Sequence, residues 1–458
     1  MSESLPDPLQ SLLKRKLGPV TGAPGGRSAA DQGPRPQILH VAGTGPRERG
    51  LARAAASAAR IRAAQRGYAQ LFTTLGIDER AQRTAAKASL AALEAWDPAQ
   101  AAELAGVATG SGLQIADLMT TVARTEILTL APAAPQQDAV DGTESAGGTE
   151  SAGPAAAGAE IGQECSTLGL QRPGSSLVGQ TWDWHAQFQD CWHFHYVEGL
   201  PDPAEDPARD AAAGTVAAAA EDSAAGQNPS PLNHAGFAEF GMLGKIGMNS
   251  AGLAVDLNIL SHEADGPGGV PIHAVLARIL GSARTIEQAL DIIASAPVSA
   301  SSLITITSAD RVLMVELTPG GHRILEPGRT DQRGVHESGR DQAIWFCHTN
   351  DFQDSGLAAG QKRGGVSNSP QRFRVLNDRV TGAAPAAPAF PESADGLLNW
   401  LATDPGADLV ARRPKPDAPL GLNIATLVTV RMDPARKLVR MNAGLPQDAA
   451  LGTVEFAL

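Results

Sequence analysis

The chain has 458 residues, enough for one large domain or two to three ordinary ones, and 43% of them are hydrophobic, which allows a substantial core. A formal net charge of −12 leaves no basic surplus to neutralise phosphates, which argues against nucleic acid and anionic membranes as partners. Three cysteines, Cys165, Cys191 and Cys347, with no Cys-x-x-Cys pair, make neither a disulfide framework nor a zinc ribbon.

The opening MSESLPDPLQSLLKRKLGP lacks the basic start, apolar run and small-residue cleavage site of a secretory signal. No stretch approaches the roughly 18–20 apolar residues that span a bilayer, so the expected compartment is the cytoplasm, with no membrane partner. Residues 1–45 are rich in Pro, Gly and Ser and read as a mobile tail. From Arg49 to Leu75, apolar residues recur at spacings of three and four, which predicts an amphipathic helix. Asp78 is placed to cap a second helix running towards Trp96, and a third is expected from about Gln114 to Leu130, carrying ARTEI. Residues 46–132 are thus a helical segment.

The stretch 133–164 contains GTESAG twice and has nothing to bury, so it reads as a low-complexity linker. A second insert is expected to be disordered at about 202–230, with shorter solvent loops around 327–341 and 383–391. Between them, LVGQTWDW, WHFHYVEG, GMLGKIGMN, LAVDLNIL, SLITITSA and RVLMVEL read as strands. Helices are expected at about Pro271–Leu280 and Ile286–Ala294, the latter capped by Thr285, and TLVTVRMDP and KLVRMNAG form a closing hairpin. Strand runs broken by a helix pair favour an α+β fold with a largely antiparallel sheet.

Cys165 stands where the linker gives way to a hairpin. Pro173-Gly174 suits the centre of a type II turn, Pro fixing φ and Gly accepting φ > 0. Arg172 then pairs with Ser175, and counting back puts Cys165 opposite Trp182, beside Asp183. A nucleophilic thiol needs a base. If the bond before Cys165 is cut, its own α-amine, with a reference pKa of about 7.7–8.0, can serve. Asp183 is then placed to hold that amine.

Cys165, Asp183 within GQTWDW, GMNSAGLAVDLNIL, HTNDF and SNSPQRF, in that order and after ARTEI, resemble the N-terminal-nucleophile hydrolases of the acyl-coenzyme A:6-aminopenicillanic acid acyltransferase kind, peptidase family C45. The resemblance covers roughly residues 50–458 apart from the inserts. It implies a four-layer αββα sandwich over 165–458 and a precursor that cuts itself between Glu164 and Cys165. The freed Cys165 would act on an amide or thioester through an acyl-enzyme. Asn258 and Asn350 would be oxyanion donors, Arg372 a cation near the nucleophile and Ser369 a weaker partner. The helical segment would remain bound as a small subunit. The implied partners are a small-molecule acyl donor and an amine or water acceptor, with no cofactor. Two positions depart from the family pattern: Glu164 stands where a small residue is common, and Asp351 stands where histidine is common.

Two other readings stay open. His193 and His195, two apart on a strand, share a face and could be part of the metal site of a metal-dependent hydrolase, although no third ligand accompanies them in a recognisable motif. The same fold could also serve as a binding module that never processes.

Overall fold

The computed structural model describes residues 36–132, 165–199, 232–338, 340, 342–362, 367–384, 388–402, 409–415, 417–420 and 422–458. The linker at 133–164 with Glu164, the insert at about 202–230, and most of the N-terminal tail lie outside the described residues.

After strand β1 (Ile38–Val41), five helices follow: α1 (Pro46–Thr74), α2 (Glu79–Trp96), α3 (Pro98–Ser111), α4 (Ile115–Val122) and α5 (Arg124–Leu128). Proline opens α1 and α3, where its missing N–H costs nothing. Asp78 caps α2 as expected, accepting from the Ala81 N–H at 2.8 Å. The expected third helix breaks at Ala123 into α4 and α5, whose first residue is Arg124.

Helix α3 escaped the sequence reading, and its packing explains why. Its partner α1 approaches so closely that a Cβ on Gly50 would lie 2.0 Å from the Glu103 carbonyl oxygen, and one on Gly106 would lie 2.3 Å from that of Arg47. Glycine and alanine make this contact, so no stripe of large apolar residues marks the helix.

Downstream come β2 (Ser166–Arg172), β3 (Ser175–His185), β4 (Trp192–Val197), β5 (His234–Glu239), β6 (Ile246–Asn249) and β7 (Ala254–Ile259). Helices α6 (Ile272–Ser282) and α7 (Ile286–Ser295) interrupt the strands, the latter capped by Thr285 as expected. Then follow β8 (Ser302–Thr307), β9 (Val312–Thr318), β10 (Gly321–Leu325), β11 (Val335–Glu337) and β12 (Ile344–His348). The last elements are α8 (Ser355–Ala358), α9 (Ser369–Thr381), α10 (Leu397–Leu401), β13 (Ile424–Asp433), β14 (Leu438–Ala443) and β15 (Val454–Ala457).

The strands form two sheets, ordered β1-β4-β5-β6-β7-β8-β9-β10 and β11-β12-β2-β3-β13-β14-β15. They face each other, with β2 and β3 of one against β7, β8 and β9 of the other. Helices α6 and α7 cover the first sheet, while α9 and α10 cover the second. The fold is therefore an α+β, four-layer αββα sandwich. Among the described residues, no helix is long and apolar enough to cross a membrane.

Two expectations are corrected. The tail assigned to 1–45 ends too late, because Ile38–Val41 pairs in parallel with β4 and extends the first sheet. The loop assigned to 327–341 contains β11, which pairs with β12. Both are short edge strands of three or four residues, too brief for alternation to reveal them.

The close helix contact predicts a reversal of ordinary helix propensity. Gly50→Ala should destabilise the protein by about 1–3 kcal/mol, because overpacking outweighs the gain from replacing a helical glycine. Gly281→Ala, where a new Cβ meets nothing within 4 Å, should be neutral or stabilising. Urea unfolding of both variants checks the contrast.

Candidate active site

The hairpin forms with the expected register. Arg172 pairs with Ser175, Ser166 with Thr181, and Gly174 takes φ 71°. Extending the ladder by one residue brings Cys165 level with Trp182. On the other side of β3, the pairing with β13 shifts between Thr426 and Val428. This bulge sets Thr426 opposite Asp183, and the Thr426 hydroxyl donates to Asp183 Oδ1 at 2.7 Å.

Cys165 is 5% exposed and shares a cavity of about 10 Å³ with Arg124, Trp182, Asp183, Trp184, Lys245, Leu257 and Ile259. That is space for about one water. Burial and the Asp183 carboxylate push the thiol up to about 11; Lys245, the Asp183 backbone and Arg372 pull in the opposite direction. Burial likewise pushes Asp183 up to about 7 against the pull of Arg372 and Thr426, and its Oδ2 has no partner among the described residues.

The backbone of the cysteine is clamped from two layers. Arg372 on α9 donates through Nη1 to the Cys165 carbonyl at 2.7 Å and to Ser166 Oγ at 3.1 Å. Its Nη2 donates to Asn350 Oδ1 at 2.9 Å and its Nε to Asn368 Oδ1 at 2.7 Å. Asn258 on β7 donates to the same Cys165 carbonyl at 3.2 Å. Thr167 and Gln180 donate to Asn258 Oδ1 at 2.7 and 3.0 Å, which orients the amide. Asn350 donates to the Ile259 carbonyl at 2.8 Å, and its backbone N–H donates to Ser369 Oγ at 2.9 Å. Cys165, Asp183, Asn258, Asn350, Arg372 and Ser369, whose outermost members stand 207 positions apart in the sequence, thus converge on one end of the sandwich.

Three charged groups at this site were not singled out from the sequence: Arg124, Glu239 and Lys245. Glu239 accepts from Arg124 Nε at 2.8 Å, Lys245 Nζ at 3.2 Å and the Tyr68 hydroxyl at 3.1 Å. Burial alone would raise the Glu239 carboxyl, but the two cations hold it well below the usual carboxylate range. Burial pushes Lys245 down to about 7 against the pull of Glu239. A lysine within the apolar, glycine-rich GMLGKIGMN was the available signal.

Beyond Ile259 and Asn350 opens a cleft of about 1210 Å³, large enough for a small-molecule substrate. Phe352 and Phe373 give it apolar surface, and Arg333, Lys362 and Arg374 line it with positive charge. Asp351, at the departure from the family pattern, also lines it and accepts from the Gln361 amide.

His193 and His195 lie with ring centroids 5.5 Å apart, and His195 lies 5.7 Å from His234. Burial pushes His193 and His234 down to about 3, so the rings are neutral at pH 7. Among the described residues, no group of three or more His, Cys, Asp or Glu side chains is arranged to hold a metal.

Two facing sheets between helical layers, with Cys165 ahead of an inner strand and Asp183 beside it, match the αββα arrangement that the motifs imply. Residues 171–396 match the family model described as acyl-coenzyme A:6-aminopenicillanic acid acyl-transferase. The chain is similar to that family over these residues, as its motifs implied; the match begins after Cys165 and takes in Asp183, Asn258, Asn350 and Arg372. The 40 kDa form of acyl-coenzyme A:6-aminopenicillanic-acid-acyltransferase from Emericella nidulans is 35% identical over 81 residues, 18% of this chain and 23% of that protein. The chain therefore aligns with less than a quarter of that relative's length. Similar solved structures include penicillin V acylase from Agrobacterium tumefaciens, 13% identical at a TM-score of 0.32 over 60% of this chain and 82% of that one. A mutant of conjugated bile acid hydrolase from Clostridium perfringens is 14% identical at a TM-score of 0.31 over 60% of this chain and 89% of that one.

The face carrying Asn258 also carries Asp256, two residues earlier on β7. Burial pushes the Asp256 carboxyl up to about 8, and neither of its oxygens has a partner among the described residues. A folded-state value above the unfolded one, about 3.9, means that the contribution to stability is fully present below pH 4 and is lost as pH rises towards 8. Asp256→Asn should match the wild type near pH 4 and exceed it in stability at pH 8, as read from urea unfolding at the two pH values.

Proposed function

We propose that the chain is a self-processing cysteine N-terminal-nucleophile acyltransferase or amidohydrolase. The observation that carries this reading is the placement of Cys165. It heads an inner strand directly after the linker, with its carbonyl clamped by Arg372 and Asn258 and its thiol beside Asp183.

In the first step, the Cys165 sulfur attacks the Glu164 carbonyl carbon. The peptide C–N bond breaks, its nitrogen becomes the Cys165 α-amine, and a thioester joins Glu164 to the sulfur. Water then opens the thioester, leaving a Glu164 carboxylate and a free thiol. In turnover, the α-amine takes the thiol proton as the sulfur attacks the carbonyl of an amide or thioester. Asp183 holds the resulting ammonium. The leaving group takes that proton, and an amine or water then releases the acyl group from Cys165. Side-chain amide N–H groups of Asn258 and Asn350 serve the tetrahedral oxyanion, and Arg372 orients Asn350. The cleft beyond Ile259 and Asn350 receives the acyl donor. These steps call on no metal or organic cofactor.

The segment before the cut is expected to stay bound. Ile272 donates to Glu126 at 2.9 Å, Gln100 donates to the Ala274 carbonyl at 3.0 Å, and Arg124 is ion-paired with Glu239. All three cysteines are free thiols, which suits the reducing cytoplasm.

Intact-mass spectrometry tests the reading. A fragment beginning at Cys165 is expected, together with its N-terminal partner, and Cys165→Ala should leave one 47.2 kDa chain. A single unbroken chain in both wild type and variant would return the protein to a binding module of the same fold. In the processed enzyme, Asn258→Ala should lower kcat by about 10²–10³ with KM little changed, measured against a panel of N-acyl amino acids, penicillins and acyl thioesters.

A further inference from the structure

We propose that Arg124 and Lys245, clamped together by Glu239, form a cationic wall that stabilises the thiolate of Cys165 against burial and the Asp183 carboxylate as the thiol proton leaves, so that the segment ahead of the linker supplies part of the catalytic chemistry. The inference rests on the reading of Cys165 as the nucleophile and assigns the stabilising charge to Arg124, within ARTEI, and to Lys245, neither of which the resemblance gave a role.

Charge count and geometry carry it. Arg124, Lys245 and Glu239 are each no more than 1% exposed, and the two cations share one carboxylate. With Lys245 protonated, and with Asp183 and Arg372 counted because they also face the thiol, three cations meet two carboxylates where water cannot screen them, and the surplus buried charge requires a counter-ion. Both cations line the cavity that Cys165 enters. Arg124 Nη1 is buried without a partner among the described residues, a donor left over after Glu239 is served. A thiolate at Cys165 supplies the missing negative charge.

The two tryptophans that flank Asp183 fix the cations in place. The Arg124 guanidinium carbon lies 4.1 Å from the Trp184 ring centroid, and Lys245 Nζ lies 3.8 Å from that of Trp182. Arg124 comes from α5 and Lys245 from the turn between β5 and β6, so the wall is assembled from both sides of the linker.

The charged groups facing the thiol are Asp183, which opposes the thiolate, and Lys245 and Arg372, which favour it; Arg124 is in turn favoured by a charge on Cys165. Around the wall, burial keeps Tyr68 protonated and His185 and His273 neutral at pH 7. Glu126, next on α5, is raised by burial to about 7 and accepts from Ile272. The proton leaving the thiol goes to the α-amine in the processed chain and to water in an uncut one.

Thiolate absorbance at 240 nm, taken as the full chain minus its Cys165→Ala counterpart across a pH titration, tests the assignment. Arg124→Met and Lys245→Met should each raise the midpoint by about one pH unit or more, the effect of removing one nearby opposite charge. Arg124→Lys, which keeps the charge, should remain near the wild-type midpoint. Unchanged midpoints in both methionine variants, with the helical segment still bound, would overturn the proposal. If Arg124→Met fails to fold, Lys245→Gln replaces it, and a wild-type midpoint there overturns the proposal equally. Failure of self-cleavage is recognised separately as an uncut chain by mass, and the titration is read on cut and uncut forms alike.

Discussion

A single carboxylate without solvent exposure, Glu239, ties the molecule together. It closes strand β5 and accepts hydrogen bonds from Tyr68 on α1, Arg124 on α5 and Lys245 ahead of β6. Breaking a buried ion pair by removing one partner typically costs about 3–5 kcal/mol, because the other charge is left uncompensated. The N-terminal helices and the sheet behind Cys165 are therefore not independently adjustable. Wherever β5 goes, α5 must follow, and the wall of the cavity beside Cys165 moves with them.

The second sheet places the sulfur by a different device. A tight turn at Pro173-Gly174 sets the β2–β3 register, and a one-residue bulge in β13 turns Thr426 towards Asp183. Because side chains alternate along a strand, a slip of one residue would carry Cys165 to the opposite face. Arg372 guards against such a slip by gripping the Cys165 carbonyl and Ser166 Oγ from the helix layer, while Asn258 reaches the same carbonyl from the facing sheet. Cys165 is thus held by its backbone, leaving the thiol directed into a cavity of about 10 Å³. Ile259 borders both this cavity and the larger cleft, and its carbonyl is tied to Asn350. The larger cleft and the Cys165 cavity therefore meet at one strand end.

The parts legible in the sequence are those with local causes. Asp78 and Thr285 cap their helices by side-chain bonds to N–H groups three residues on. The β2–β3 hairpin could be counted from its turn, and β7, β8 and β9 announce themselves by β-branched and aliphatic residues. Resemblance to a family brought Asn258, Asn350 and Arg372 into consideration, although their spacing in the chain carries no such information. Several of the elements that escaped lack a local signature. Helix α3 packs through Gly106 and Gly110, and β1 and β11 are edge strands of three or four residues.

Cys165 as the head of a hairpin, Asp183 as its neighbour, the α+β class and the order of the main strands were all decided by the sequence alone, because turn chemistry and side-chain alternation act over a few residues. The tertiary structure alone decided that Arg124 and Lys245, 121 residues apart, share Glu239 and stack on the two tryptophans beside Asp183. Such a cluster leaves no periodic trace in the chain. Its members are selected by the requirement that buried charges meet their counter-charges, which only the completed packing can satisfy.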